Sequence, residues 1–224
     1  MKVIIVFIVL IIVHFNTIAQ EVKIDASYNY LFANQWDKAI QTYNFSRPFN
    51  YEKQPLLIHG FATSGTYISK SPKRLKQGIN LSYSYFSSSS ENENLDVKLH
   101  LNFLKLAYLI HYEYKEKLKN LYTDFIFSAT TSALVRNVNG KPFTYDEEKS
   151  KAFGIGGDIS VKMGYFMKFK NKVGISPFLL IACTPYFYSP NTEAVINQTK
   201  GLASKPSTAI LSAQIGVAFH LKQP

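Results

Sequence analysis

The chain has 224 residues, a net charge of +10 and a single cysteine, with 46% hydrophobic and 15% aromatic side chains, mostly Tyr and Phe. One cysteine excludes an intramolecular disulfide framework. The basic excess invites a nucleic-acid partner, but it gathers in short turns between strand-like segments and behind an export leader, and no nucleic acid is expected.

The leader is MKVIIVFIVLIIVHFNTIAQE, in which one Lys precedes an apolar stretch from Val3 to Val13. That stretch falls well short of the ~20 residues a helix needs to cross a bilayer. Thr17 and Ala19 provide the small residues of a cleavage site. Residues 1–19 therefore read as a signal peptide and 20–224 as one domain. Beyond the leader no apolar run suits a helical span; candidates such as LLIACTPYFY are cut by Pro or Gly and read as strands.

Residues 22–32 alternate Val22, Ile24, Ala26, Tyr28, Tyr30 and Phe32 against Lys23, Asp25, Ser27, Asn29 and Leu31, which is the period of a strand. A long connection follows to Gln54. Within it, QWDKAIQTYNFSRPF places Trp36, Ile40 and Tyr43 on one helical face. A tetratricopeptide array needs further copies at a 34-residue period, and none occurs. The stretch is expected to be a structured external loop, with Trp36 and Tyr43 as contact residues against a rim. Residues 56–68 form a second strand of poor alternation, whose faces the sequence does not assign. The third strand, 75–86, alternates cleanly, and SSSSENEN after it reads as a polar loop.

Residues 95–114 change phase. Leu95, Val97, Leu99, Leu101 and Phe103 are odd, whereas Leu104, Leu106, Tyr108, Ile110, Tyr112 and Tyr114 are even. A β-bulge at Phe103–Leu104 is expected, because one extra residue shifts every later side chain to the other face. The fifth strand, 121–136, sets Phe125, Phe127 and Ala129 against Asp124, Ser128 and Thr130, and NVNGKPFTYDEEKS reads as a loop. The sixth, 152–169, carries Phe153, Ile155, Ile159, Val161, Met163, Tyr165, Met167 and Phe169 on one face. Its other face holds Gly154, Gly156, Asp158, Ser160, Lys162 and Gly164. GIGGD here is no phosphate loop, since the alternation runs on to Phe169 where a helix would have to begin; its small residues leave room for large neighbours.

The seventh strand, 173–188, contains Pro177 and Pro185, which predict local distortion, and Cys183 on its apolar face reads as an inert thiol. The last strand is AILSAQIGVAFHLK, Ala209 to Lys222. Its odd positions are uninterruptedly apolar and most of its even positions are small or polar. Such a strand needs an apolar medium on one side and a narrow, wetter space on the other, as in the wall of a membrane barrel.

Eight strands result. The links after strands two, four and six are short and basic, and those after one, three, five and seven are longer. The expected fold is an all-β, eight-stranded antiparallel up-and-down transmembrane β-barrel. With this strand count, short turns at one end and a terminal strand QIGVAFHL carrying Phe219, the chain resembles the OmpA/OmpX-type small outer-membrane β-barrels. That resemblance of pattern covers essentially the whole mature chain. It implies the outer membrane of a Gram-negative bacterium, outer-membrane lipids as surroundings, and insertion by the barrel-assembly machinery through the terminal strand. The chain departs from the commonest pattern by ending HLKQP after Phe219.

Inward positions carry both signs: Asp25, Lys76, Lys105, Glu113, Asp124, Arg136, Asp158 and Lys162. An eight-stranded barrel is just wide enough for side chains to fill, so these charges are expected to pair and plug the lumen; a single-sign lining would suggest a selective pore. The expected role is structural, adhesive or interacting, through the long external loops Ala33–Gln54 and Ser189–Pro206 and an extracellular or membrane protein partner. Two alternatives stand beside it. One is a narrow channel. The other is a lipid-modifying hydrolase or acyltransferase built on His100 and Asp96, which share a strand face beside the serines 87–90. No metal-ligand spacing occurs, and no cofactor is indicated.

Overall fold

The computed structural model describes residues 19–46, 54–69, 71, 74–91, 95–140, 148–170, 173–188, 190, 195 and 209–222. The strands are β1 (Ala19–Phe32), β2 (His59–Ser69), β3 (Leu75–Glu91), β4 (Leu95–Glu113), β5 (Leu121–Gly140), β6 (Glu148–Tyr165), β7 (Met167–Lys170), β8 (Val173–Tyr188) and β9 (Ala209–Lys222). A helix, α1 (Asn34–Ser46), follows β1, and a 3₁₀ turn (Glu116–Leu118) lies between β4 and β5. The signal-peptide stretch up to residue 18 and most of the expected 189–206 loop lie outside the described residues.

Every strand pairs antiparallel with its neighbours, and β6 pairs with β8 to close the ring. The terminal strand β9 lies between β1 and β8. The short β7 continues β6 beyond Phe166 and pairs with the same partner, β8. The wall therefore has eight staves, β6 and β7 making one, and the fold is the closed transmembrane barrel that the alternation predicts. Closure removes every sheet edge, which is what lets strands sit in lipid with no backbone group unsatisfied.

Outward positions form an apolar belt. Ile24 and Tyr28 on β1, Leu104, Leu106 and Tyr108 on β4, Ile159 and Val161 on β6 and Ile215 and Phe219 on β9 are all exposed on the wall. Tyr and Phe residues border the belt at both ends, as in interfacial girdles: Tyr83 and Tyr85 towards one, Tyr165, Phe169 and Phe219 towards the other. The faces of β2 are now assigned. Thr66 and Ile68 are buried inward, and Phe61 is exposed on the outside.

Two expectations are corrected. The register of β4 against both β3 and β5 runs unbroken through Phe103 and Leu104, so no bulge occurs there. Odd residues face inward along the whole strand, and Leu99, Leu101 and Phe103 are buried. The hydrophobic phase changes because the medium inside the barrel changes from polar to apolar, while the backbone keeps its period. The second correction concerns the loops. SSSSENEN is strand as far as Glu91, and NVNGKPFTYDEEKS is strand at both ends, since β5 reaches Gly140 and β6 starts at Glu148; the residues between lie outside the described ones. Staves β3–β6 thus project past the apolar belt, with Lys98, His100 and Asn102 on their outer face, and the connection between β3 and β4 shrinks to residues 92–94.

The two prolines of β8 coincide with irregularities on its β6 side. Pairing stops at Gly164–Phe178, just before Pro177, and resumes on β7 at Met167–Ile175; near Pro185 the register shifts by one residue between Ile155 and Gly156. Proline has no N–H to give the ladder. The β8–β9 side is continuous through both.

Candidate functional site: the barrel interior and its mouth

The interior has two storeys. The one nearer the start of β1 and the end of β9 is polar. Lys162 of β6 reaches across to Asp25 of β1, Nζ to Oδ2 2.6 Å, and Ser64 donates to the same oxygen at 2.6 Å. Lys105 of β4 pairs with Asp158 of β6 at 2.5 Å, and Asp158 also accepts from Thr184 at 2.7 Å. Lys23 of β1 lies 3.3 Å from Asp124 of β5, whose other oxygen is 2.5 Å from His111 Nδ1. A carboxylate only accepts, so that ring nitrogen carries the proton. Lys76 pairs with Glu113 at 2.8 Å nearer the rim. Near the start of β1 and the end of β9, His220 Nδ1 meets Glu21 and His220 Nε2 lies 2.7 Å from Ser176.

Aromatic rings fill the space between these charges. Lys23 sits 4.0 Å from the centre of the Tyr122 ring and Lys162 4.1 Å from that of Phe178, close enough for cation–π attraction. Gly164 faces Tyr122, and a side-chain carbon at that position would collide with the ring. Small residues on the inward face of β6 thus make room for large neighbours. Midway up, a cavity of about 40 Å³ lies among Asp25, Asn80, Lys105, Asp158, Lys162 and Gln214, enough for a few waters.

The upper storey is apolar and is built by α1. Trp36, Ile40 and Tyr43 recur at helical spacing, and all three are buried against Leu31, Leu57, Phe86, Leu99, Leu101, Phe103, Leu134, Tyr186 and Ile210. The expected external loop with a rim-anchoring Trp is therefore a helix turned into the barrel mouth. Polar bonds hold its far end. Asn44 donates to the Gln54 carbonyl at 2.9 Å and accepts from the Gln54 N–H at 2.8 Å, while the Gln54 side chain accepts from Arg136 Nε of β5 at 3.1 Å. Asp37, in the first turn of α1, has its carboxyl raised above the ordinary range by burial.

All eight residues expected to line the lumen project inward. Arg136 stands apart from the other seven: it serves the helix clamp through Gln54. Inward acids, lysines and histidines outside the expected set include Glu21, Lys23, His111 and His220. Lys23 and His220 lie in the polar rows of their strands, and His111 falls inward once the period of β4 is carried through Phe103 without a bulge.

The catalytic candidates lie elsewhere, at outward positions of the projecting staves, His100 partly exposed and Asp96 buried. Asp96 pairs with Lys98 at 2.7 Å. His100 Nδ1 lies 2.7 Å from the Tyr85 hydroxyl and 3.0 Å from Ser87 Oγ, so one ring nitrogen is shared between two hydroxyls and is not reserved for the serine.

No known family model matches the chain, and no curated protein matches its sequence. Among solved structures it is similar to neisserial surface protein A, with 11% identity and a TM-score of 0.44 over 91% of this chain and 96% of that one. It is also similar to Ail, the attachment invasion locus protein of Yersinia pestis, with 8% identity and a TM-score of 0.46 over 91% and 99%. At such identities the architecture rests on this chain's own strand register.

Proposed function

We propose that the chain is a bacterial outer-membrane barrel with a plugged lumen, acting as a structural, adhesion or interaction protein through the end that carries α1 and the projecting staves. One observation carries the reading: the interior is occupied twice over, by cross-lumen charge pairs below and by the Trp36–Ile40–Tyr43 face of α1 above. A pore needs a continuous aqueous path. Buried ions taken from water at a cost of several kcal/mol each persist only when paired and hydrogen-bonded, and this arrangement pairs them across the space a solute would use. A filled barrel offers its outside as its working surface, and long segments on rigid scaffolds often carry binding.

The test is to replace residues 34–54 with a Gly/Ser linker of equal length in the full chain displayed on cells. Partners captured by crosslinking intact cells should be lost while the barrel keeps its heat-modifiable mobility on gels. An unchanged set of captured partners would place the working surface elsewhere.

A further inference from the structure

We propose that Glu21, His111 and Glu113 form a binding site for one divalent transition-metal ion of the zinc class, at the barrel end where β1 begins and β9 ends. Glu21 comes from the start of β1, and His111 and Glu113 from alternate positions near the end of β4. Those two staves are separated by β2 and β3 round the wall, so the three donors converge from different sides of the lumen. One ligand atom from each lies within 4.8 Å of the others, and His111 Nε2 is 3.5 Å from Glu113 Oε1. A tetrahedral ion with bonds of about 2.0–2.1 Å holds its donors roughly 3.4 Å apart, so a small inward movement of side chains completes the set. Glu21 and His111 are almost fully buried, and the Glu113 side chain is about a third exposed at 32%. The ion would enter past Glu113.

A separate observation points to a cation here. The Nδ1–H of His111 is held by Asp124, while its Nε2 lies on the side of Glu113. This leaves Nε2 as the nitrogen free to ligate, and a second carboxylate orienting the ring is how histidine ligands are commonly fixed on a metal. Neighbouring groups shape the site: Lys76 takes the other oxygen of Glu113, His220 holds one oxygen of Glu21, and Lys23 lies on the Asp124 side of the ring. One imidazole with two carboxylates suits zinc; calcium and magnesium prefer all-oxygen sets. A bound ion would pin β1 to β4 across the lumen.

The experiment uses the full chain folded in detergent. It is equilibrated with zinc, desalted and assayed for retained metal, and its urea midpoint is compared in zinc and in chelator. Wild type should retain one equivalent and unfold at higher urea with zinc. Glu113→Gln, the most exposed ligand, should keep its heat-modifiable mobility but lose both the retained zinc and the midpoint shift. Asp124→Asn should weaken zinc binding about 10–100-fold, the usual cost of losing such an orienting partner. His59→Ala and His100→Ala, on the outer surface, should change neither. Wild type that retains no zinc, with only a proton bridging the cluster, overturns the proposal. So does an adventitious ion only, seen as equal retention by Glu113→Gln or as loss on removing His59 or His100.

Discussion

Replacing Ile215 with Arg tests the inside–outside assignment on which the rest depends. Ile215 is exposed on the outer face of β9, paired with Tyr28 on one side and Leu179 on the other, both of them outward too. A strand rises about 3.3 Å per residue, which at ~45° tilt is roughly 2.3 Å along the membrane normal. Leu211 and Phe219, four positions to either side, are then ~9 Å above and below Ile215, which puts it near the middle of an apolar band ~25 Å tall. A basic residue at that depth costs ~2–4 kcal/mol. The neighbouring Gln214 instead borders the interior cavity that Asp25 and Asp158 also line, and it accepts a hydrogen bond from Ser27 at 3.2 Å. Gln214→Arg forfeits that bond, worth about 1 kcal/mol, but places its cation among acids. Refolding into lipid vesicles across a urea series should therefore find Ile215→Arg the more destabilised. If Gln214→Arg proves the more damaging, the faces have been exchanged, as a one-residue slip in register would do.

Asp25→Ala should cost about 3–5 kcal/mol in the same assay, because it strips the buried Lys162 of its partner; the double variant Asp25→Leu/Lys162→Met should recover much of that loss. Trp36→Ala should undock α1 at a cost of about 3–5 kcal/mol, seen as new protease cleavage within residues 33–58 while the barrel still shifts on heating. Docking of α1 is also expected to respond to acid. Burial raises the Asp37 carboxyl, so its contribution to docking is fully present below its unfolded value and is lost as pH rises through the raised one; Asp37→Asn should flatten that dependence in protease-protection measurements. Finally, His100→Ala should leave the lipid A and phospholipid acylation profiles of cells unchanged by mass spectrometry, whereas a changed profile would restore the enzymatic alternative.

The wall was legible in the sequence because lipid imposes a period of two, and β1, β3, β5, β6 and β9 each show it over most of their length. Leucine at 99 and 101 misled for a physical reason. Hydrophobic pattern reports contact with an apolar medium, and here that medium is lipid outside the lower wall but a docked helix inside the upper wall. No count along β4 alone separates those two cases. The missing clue lay some sixty residues earlier, in the Trp36–Ile40–Tyr43 stripe, which needed a buried partner and found it in Leu99 and Leu101. Pairing was hidden in a similar way. Alternation places Lys162 and Asp25 inside, but only closure of the ring brings β6 opposite β1. The strand β2 withheld its faces because small and hydroxylic residues, Ala62, Thr63, Ser64, Gly65 and Thr66, populate both sides of it.

The plugged lumen is tested most directly by single-channel recording of the full-length folded barrel in planar bilayers. Wild type should insert, as verified by heat-modifiable mobility of the recovered protein, and give no steady conductance, because cross-lumen ion pairs and the α1 plug occupy the path. Reproducible ohmic steps from the wild-type barrel would contradict that account and would make the charged interior a conduction path.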